Sequence, residues 1–323
     1  MKPFSLITSL VVLLAAAAGA SAQQFPNKSI TLMVPYAPGP TDTVARIVAQ
    51  SMQKPLGQTI VVENRPSAGG ILAPELVKNS KPDGYTILIH HIGMATTPAL
   101  YRNLRFNPLT DFEYIGLIND VPMTLIGKPA LPAKDLKELL GYIKANKDKV
   151  NFAHAGIGAA SQLCGMLFMS AIQTDMLTVP YKGTGPAMND LLGGQVDLLC
   201  DQTTNTTQQI KSGKVKAYGV TTKKRVASLQ EIPTLDEQGL KGFEIGIWHA
   251  LYAPKGTPKP VVDKLSAALQ EAVKDPAVIQ RFSDLGASTM PPEKATPAAL
   301  QAFLKAEIEK WGPIIKKAGV YAD

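Results

Sequence analysis

Two cysteines in 323 residues are too few for a disulfide scaffold or a four-cysteine metal site. Histidine is also sparse. Of the four in the chain only His90 and His91 are adjacent, and adjacent strand residues point to opposite faces, a poor geometry for a shared metal ion. The patterns G-x-S-x-G and H-E-x-x-H are absent, and no Gly-Lys pair is followed by Ser or Thr. The common serine-hydrolase, zinc-protease and phosphate-loop signatures are therefore missing. Beyond the N-terminus no stretch approaches the ~18 uninterrupted apolar residues of a membrane span. No internal repeat, low-complexity tract or long linker interrupts the chain. Lysine plus arginine (33) exceed aspartate plus glutamate (26), for a net charge of +7, but the basic residues are scattered. The densest run is Lys223-Lys224-Arg225, with no interleaved aromatic stripe, so nucleic acid is a poor partner; a mild positive field would still draw an anionic solute.

What is present begins at the N-terminus. Lys2, an apolar run from Leu6 to Ala18 and the Ala20-Ser-Ala22 triplet have the layout of a secretory signal. The expectation is residues 1–22 as signal peptide, cleavage before Gln23 and a mature chain in the periplasm. Such a compartment permits Cys164 and Cys200 to pair. The first falls early in a predicted helix and the second ends a predicted strand, so a disulfide and two buried thiols both remain open.

The mature length is about twice one typical domain, enough for two lobes. The first reads as strand Ile30–Val34, a helix with Val44, Ile47, Val48 and Met52 on one face, strand Thr59–Glu63, a helix near Ile71–Asn79, and strand Tyr85–Ile89. A second series follows: strand Met123–Ile126, helix Ala133–Lys147, strand Val150–His154, helix Ser161–Ile172 and strand Leu177–Tyr181. After these come a short helix opened by Pro186, strand Val196–Cys200 and strand Lys216–Val220. Ile247–Ala253 returns the chain, and helices Val261–Asp275, Ala277–Leu285 and Ala299–Ala318 complete it. Strands alternating with helices argue for parallel, doubly wound sheets. Chain crossings near Val121–Thr124 and Trp248–Tyr252 are where two lobes would hinge.

Three strand–loop–helix junctions share one design: Tyr36–Asp42, Ala155–Ser161 and Tyr181–Pro186. Small residues let a ligand approach the backbone, and helix N-termini supply aligned N–H donors that suit an anion. The first loop holds no Lys, Arg, His or Cys, so it reads as a holder rather than a reactant. In the second, Ser161 stands where a dinucleotide fingerprint needs its third glycine, and no acidic residue ends the next strand. Asp42 fits either a helix cap or a ligand contact. Asn205-Thr-Thr207 matches a glycosylation acceptor but reads by default as a polar loop.

Val34-Pro-Tyr-Ala-Pro-Gly-Pro-Thr-Asp42 with Ala45-Arg46 resembles the signature of the tripartite tricarboxylate transporter solute receptors, the Bug-type extracytoplasmic binding proteins. Val62-Glu-Asn-Arg-Pro66, Pro82-Asp-Gly-Tyr85, Val179-Pro-Tyr-Lys-Gly183, Leu191–Asp197, Ile232-Pro-Thr234, Gly256–Pro260 and Lys310-Trp-Gly312 continue it in order. The resemblance implies an α/β fold of the type II periplasmic-binding-protein kind, a two-lobed Venus flytrap of doubly wound sheets joined by a hinge. Lobe 1 would hold residues 25–122 plus 250–323 and lobe 2 residues 123–249. It implies a monomeric receptor that captures a small carboxylate for separate permease subunits in the membrane, with no catalysis, cofactor or metal. A partner of a two-component sensor and a periplasmic enzyme on the same fold are the alternatives.

Loops and resemblance together nominate ligand contacts. Tyr36, Pro38, Gly39, Thr41 and Asp42 belong to the first loop, and His91 and Gly93 follow the third strand. Gly158, Ala159, Ala160 and Ser161 form the second loop. Thr184, Asp201 with Gln202 beside it, Trp248 and His249 complete the set. Two departures from the family bear on the solute: Pro40 replaces a common glycine, and Ala159 and Ala160 replace hydroxyl donors. A site of apolar middle, polar ends and flat side chains would suit a dicarboxylate, including an aromatic one such as terephthalate, over citrate.

Overall fold

The computed structural model describes residues 25–319, 321 and 322. The expected cleavage site lies outside the described residues. In the first lobe, β1 (Ile30–Val34), β2 (Ile60–Asn64) and β3 (Thr86–His91) run parallel in the order β2-β1-β3. They alternate with helices α1 (Pro40–Leu56), α2 (Leu72–Lys78) and α3 (Gly93–Leu100). The apolar face of α1 is buried as its spacing predicts, and Gly57 (φ 68°) stops the helix in the left-handed conformation. Helix α3 was not expected: Met94, Ala95, Thr96 and Thr97 are all buried, so no polar face marks it in the sequence.

The first crossing is one strand. β4 (Phe112–Gly127) is 16 residues long and nearly all buried. Its first part pairs with β9 (Gly246–Pro254), which also pairs antiparallel with β3. Its last five residues, Met123–Gly127, pair with β7 (Leu198–Gln202), and β8 (Lys216–Val220) joins its other edge. Pro122, which has no N–H to give a ladder, sits where the strand leaves one sheet for the other, opposite Gly246. The return crossing is β9. Ile245 N–H donates to Thr221 O, and Gly246–His249 pair with Pro122–Asn119 in the first sheet.

Lobe 2 continues with α4 (Leu136–Ala145), β5 (Asn151–His154), α5 (Ala160–Ile172), β6 (Leu177–Pro180) and α6 (Thr184–Leu192), with β6-β5-β7 parallel. Helix α7 (Thr203–Lys211) then covers the stretch read as a polar loop. Its β-branched, hydroxyl-rich sequence is a weak helix former, but Thr203, Thr204, Thr206 and Thr207 are buried and tertiary packing decides. Cys164 in α5 and Cys200 in β7 are joined as a disulfide, with Cα atoms 6.1 Å apart. The chain ends with α8 (Lys259–Lys274), α9 (Pro276–Asp284), the two-residue β10 (Ser288–Thr289) and α10 (Pro297–Ala318). Helix α8 lies on α1 and β4, and α10 on α3 and β4, which places the C-terminal helices on lobe 1.

Candidate functional site

The lobes meet directly. Ala37 N–H donates to Lys182 O at 2.9 Å and Gly69 N–H to Ala155 O at 3.0 Å. Tyr101 Oη donates to Ile157 O at 2.8 Å, and Thr96 Oγ1 to Gly158 O at 3.0 Å. Between these seams lies a small cavity walled by both lobes.

Four helix N-termini reach it. Pro40 and Thr41 open α1; Ala159, Ala160 and Ser161 open α5; Thr184 opens α6; and Gln202 caps α7. The first N–H groups of a helix have no intrahelical partner, and each helix end carries about +0.5 charge, so four ends present about +2. Among the described residues no lysine or arginine lines the cavity. Its single carboxylate among those residues is Asp201, which accepts from Asn205 Nδ2 at 2.6 Å and from the Gln202 N–H at 2.8 Å. Burial raises this carboxyl to about 6, against the opposing pull of its bonds to Asn205, Thr184 and Gln202.

The remaining wall is Tyr36, His91 and Ala155. Tyr36 stacks on His91 with centroids 5.0 Å apart, and Tyr36 Oη donates to Gly69 O at 3.3 Å. His91 Nδ1 accepts from the Gly93 N–H at 2.9 Å, so the neutral ring carries its proton at Nε2. Burial, then the nearby His90 and His249, hold its pKa well below the ordinary value. The side-chain oxygen Oε1 of Gln202 is buried and has no partner.

Eight expected residues line the cavity: Tyr36, Thr41, His91, Ala159, Ala160, Ser161, Thr184 and Asp201. The others stand elsewhere. Asp42 is neither cap nor wall, because the helix begins at Pro40 with Gly39 as N-cap and both Asp42 oxygens bind Arg46, at 2.9 and 3.0 Å. Trp248 turns away, donating Nε1–H to Glu307 at 3.1 Å and packing on Phe303. His249 sits behind the wall, with Nδ1 on Asn119 Oδ1 at 2.9 Å and Nε2 on Thr41 Oγ1 at 3.3 Å. Pro38 and Gly39 face the interlobe seam at Gly185, and Gly158 and Gly93 set backbone that other residues use. Pro40, Ala155 and Gln202 are the lining residues not nominated. Pro40 and Ala155 lie within the junctions Tyr36–Asp42 and Ala155–Ser161. Gln202 adjoins Asp201, and only the unrecognised helix α7 obscured its place.

The profile of the tripartite tricarboxylate transporter family receptors matches residues 44–320. The chain belongs to that family. Among solved structures, the periplasmic binding protein BugD is 54% identical, with a TM-score of 0.90 over 92% of this chain and 99% of that one. MatC from Rhodopseudomonas palustris, solved with bound malate, is 40% identical, with a TM-score of 0.87 over 90% and 100%. A second R. palustris protein, solved with adipate, is 30% identical, with a TM-score of 0.87 over 92% and 99%. The fold is thus the two-lobed periplasmic-binding-protein fold, and the protein is a solute-binding receptor of this family.

Proposed function

We propose that this receptor, exported by its N-terminal signal, closes on a small linear dicarboxylate and delivers it to permease subunits of a tripartite transporter. One observation carries the reading: four helix N-termini converge on one small cavity with no lysine or arginine among its described lining residues. Their summed charge of about +2, partly offset by Asp201 where that carboxyl is ionised, favours a carboxylate anion. Malate and adipate in related receptors support the class. Tyr36 and His91 are the flat side chains at the wall, while Trp248 and His249 lie outside it, so an aliphatic dicarboxylate fits better than terephthalate.

A thermal-shift panel of mono-, di- and tricarboxylates on solute-stripped protein tests this. A ligand at 100 times its Kd adds about 2.7 kcal/mol of stability. A rise for succinate or malate but not citrate is expected; no rise for any carboxylate overturns the reading. Intact mass beginning at Gln23 would establish export with cleavage. A chain retaining residues 1–22 in the membrane fraction would refute it.

A further inference from the structure

We infer that Gly39 is a spacer that sets the length of solute the closed receptor accepts; this rests on the dicarboxylate reading above. Gly39 does not line the cavity. Its backbone is extended (φ 171°, ψ −151°), so no turn demands glycine there. What demands it is the opposite lobe. A Cβ at Gly39 would stand 3.1 Å from Gly185 N and 3.5 Å from Gly185 Cα, whereas its own loop comes no nearer than 3.6 Å, at Ala37 O. Gly185 in turn presses the place of its missing Cβ against the Pro38 carbonyl. The second seam repeats the arrangement, because a Cβ on Gly156 would fall on Gly69 N. At both seams the lobes meet backbone to backbone.

Seam thickness and cavity length are coupled through the chain. Gly39 is followed at once by Pro40 and Thr41, and Gly185 is preceded by Thr184, all of them on the cavity wall. Helix ends that must each meet a carboxylate therefore stand as near to one another as peptide planes allow. A side chain at position 39 props the seam and moves the N-terminus of α1 away from that of α6. Alanine needs a few tenths of an ångström of give at Gly185 and valine more, so a short diacid spans the widened gap less well than a longer one. Gly185 precedes Pro186, so a Cβ there would also strain its own helical backbone; Gly39 is the position where the effect separates from local strain.

The test is calorimetric titration of solute-stripped wild type, Gly39→Ala and Gly39→Val with succinate, adipate and suberate. Gly141→Ala, whose Cβ would have nothing within 4 Å, is the control. The Gly39 variants should keep the unliganded melting temperature and lose succinate affinity by about tenfold or more. Valine should act more strongly than alanine, and the adipate and suberate ratios should shift toward the longer acid. Unchanged ratios in Gly39→Ala, or an equal loss for all three acids, overturns the inference while leaving the dicarboxylate reading intact. Wild type that binds none of the three refutes that reading, and this inference with it.

Discussion

Asn205 donates from Nδ2 to Asp201 at 2.6 Å, tying the first turn of α7 to the one carboxylate on the cavity wall. Burial lifts Asp201 from its ordinary 3.8 to about 6, so lowering the pH through that value removes a negative charge from the wall. A bound dianion gains by that loss. Kd for a dicarboxylate that stays ionised should fall about three- to tenfold from about pH 7.5 to 5.5, and Asp201→Asn should flatten the profile. His249, held down at about 3, and His91, held well below its ordinary value, add no proton in this range. Through Asp201 the unliganded fold also gains stability on acidification: the contribution is complete below 3.8 and lost as pH rises through about 6. Calorimetry across the range checks the binding, and a Kd that tightens toward high pH contradicts it.

Asp42→Ala should leave affinity within about twofold, because the carboxylate serves Arg46 rather than the cavity. Loss of this half-exposed pair from the first turn of α1 should cost under about 1 kcal/mol in chemical denaturation. A hundredfold loss of affinity would return Asp42 to the site.

Trp248→Phe and Ala160→Leu should behave oppositely. The first removes the bond to Glu307 and should cost roughly 1 kcal/mol of stability with affinity kept. The second drives a large side chain into the small cavity and should abolish detectable solute binding while the protein still folds. Titration and melting of both variants separate the two roles.

Reducing the Cys164–Cys200 disulfide, or replacing both residues with serine, opens a loop of 36 residues and should lower stability by roughly 3–4 kcal/mol. The disulfide ties α5 to β7, two of the elements whose ends form the wall. Urea melts with and without reductant measure the cost; superimposable curves would show that the crosslink is idle.

The framework was legible where one period dominates. Ile30–Val34 alternates, and Val44, Ile47, Val48 and Met52 mark one helical face, so β1 and α1 were readable directly. The three glycine-rich junctions announced helix N-termini, and hence most of the cavity wall. Three features were hidden for physical reasons. Helix α7 is built of threonines that favour other structure until packed. Helix α3 is buried on nearly all sides and has no amphipathic stripe. Trp248 and His249 alternate along β9, yet which faces they take depends on pairing with β4, including its register shift between Leu117 and Asn119. The capping role of Asp42 was not legible, because an acidic residue near a helix start fits the cap and the third helical position equally, and its pairing with Arg46 one turn on shows the second.

The convergence of four helix ends on a dianion is tested most directly by titrating solute-stripped wild type with succinate and with its neutral diamide, which has a closely similar shape. The account predicts binding of succinate, weakened little by salt because the site is enclosed, and no measurable binding of the diamide. Equal affinity for the two, or heat from neither succinate nor any other linear dicarboxylate, would contradict it.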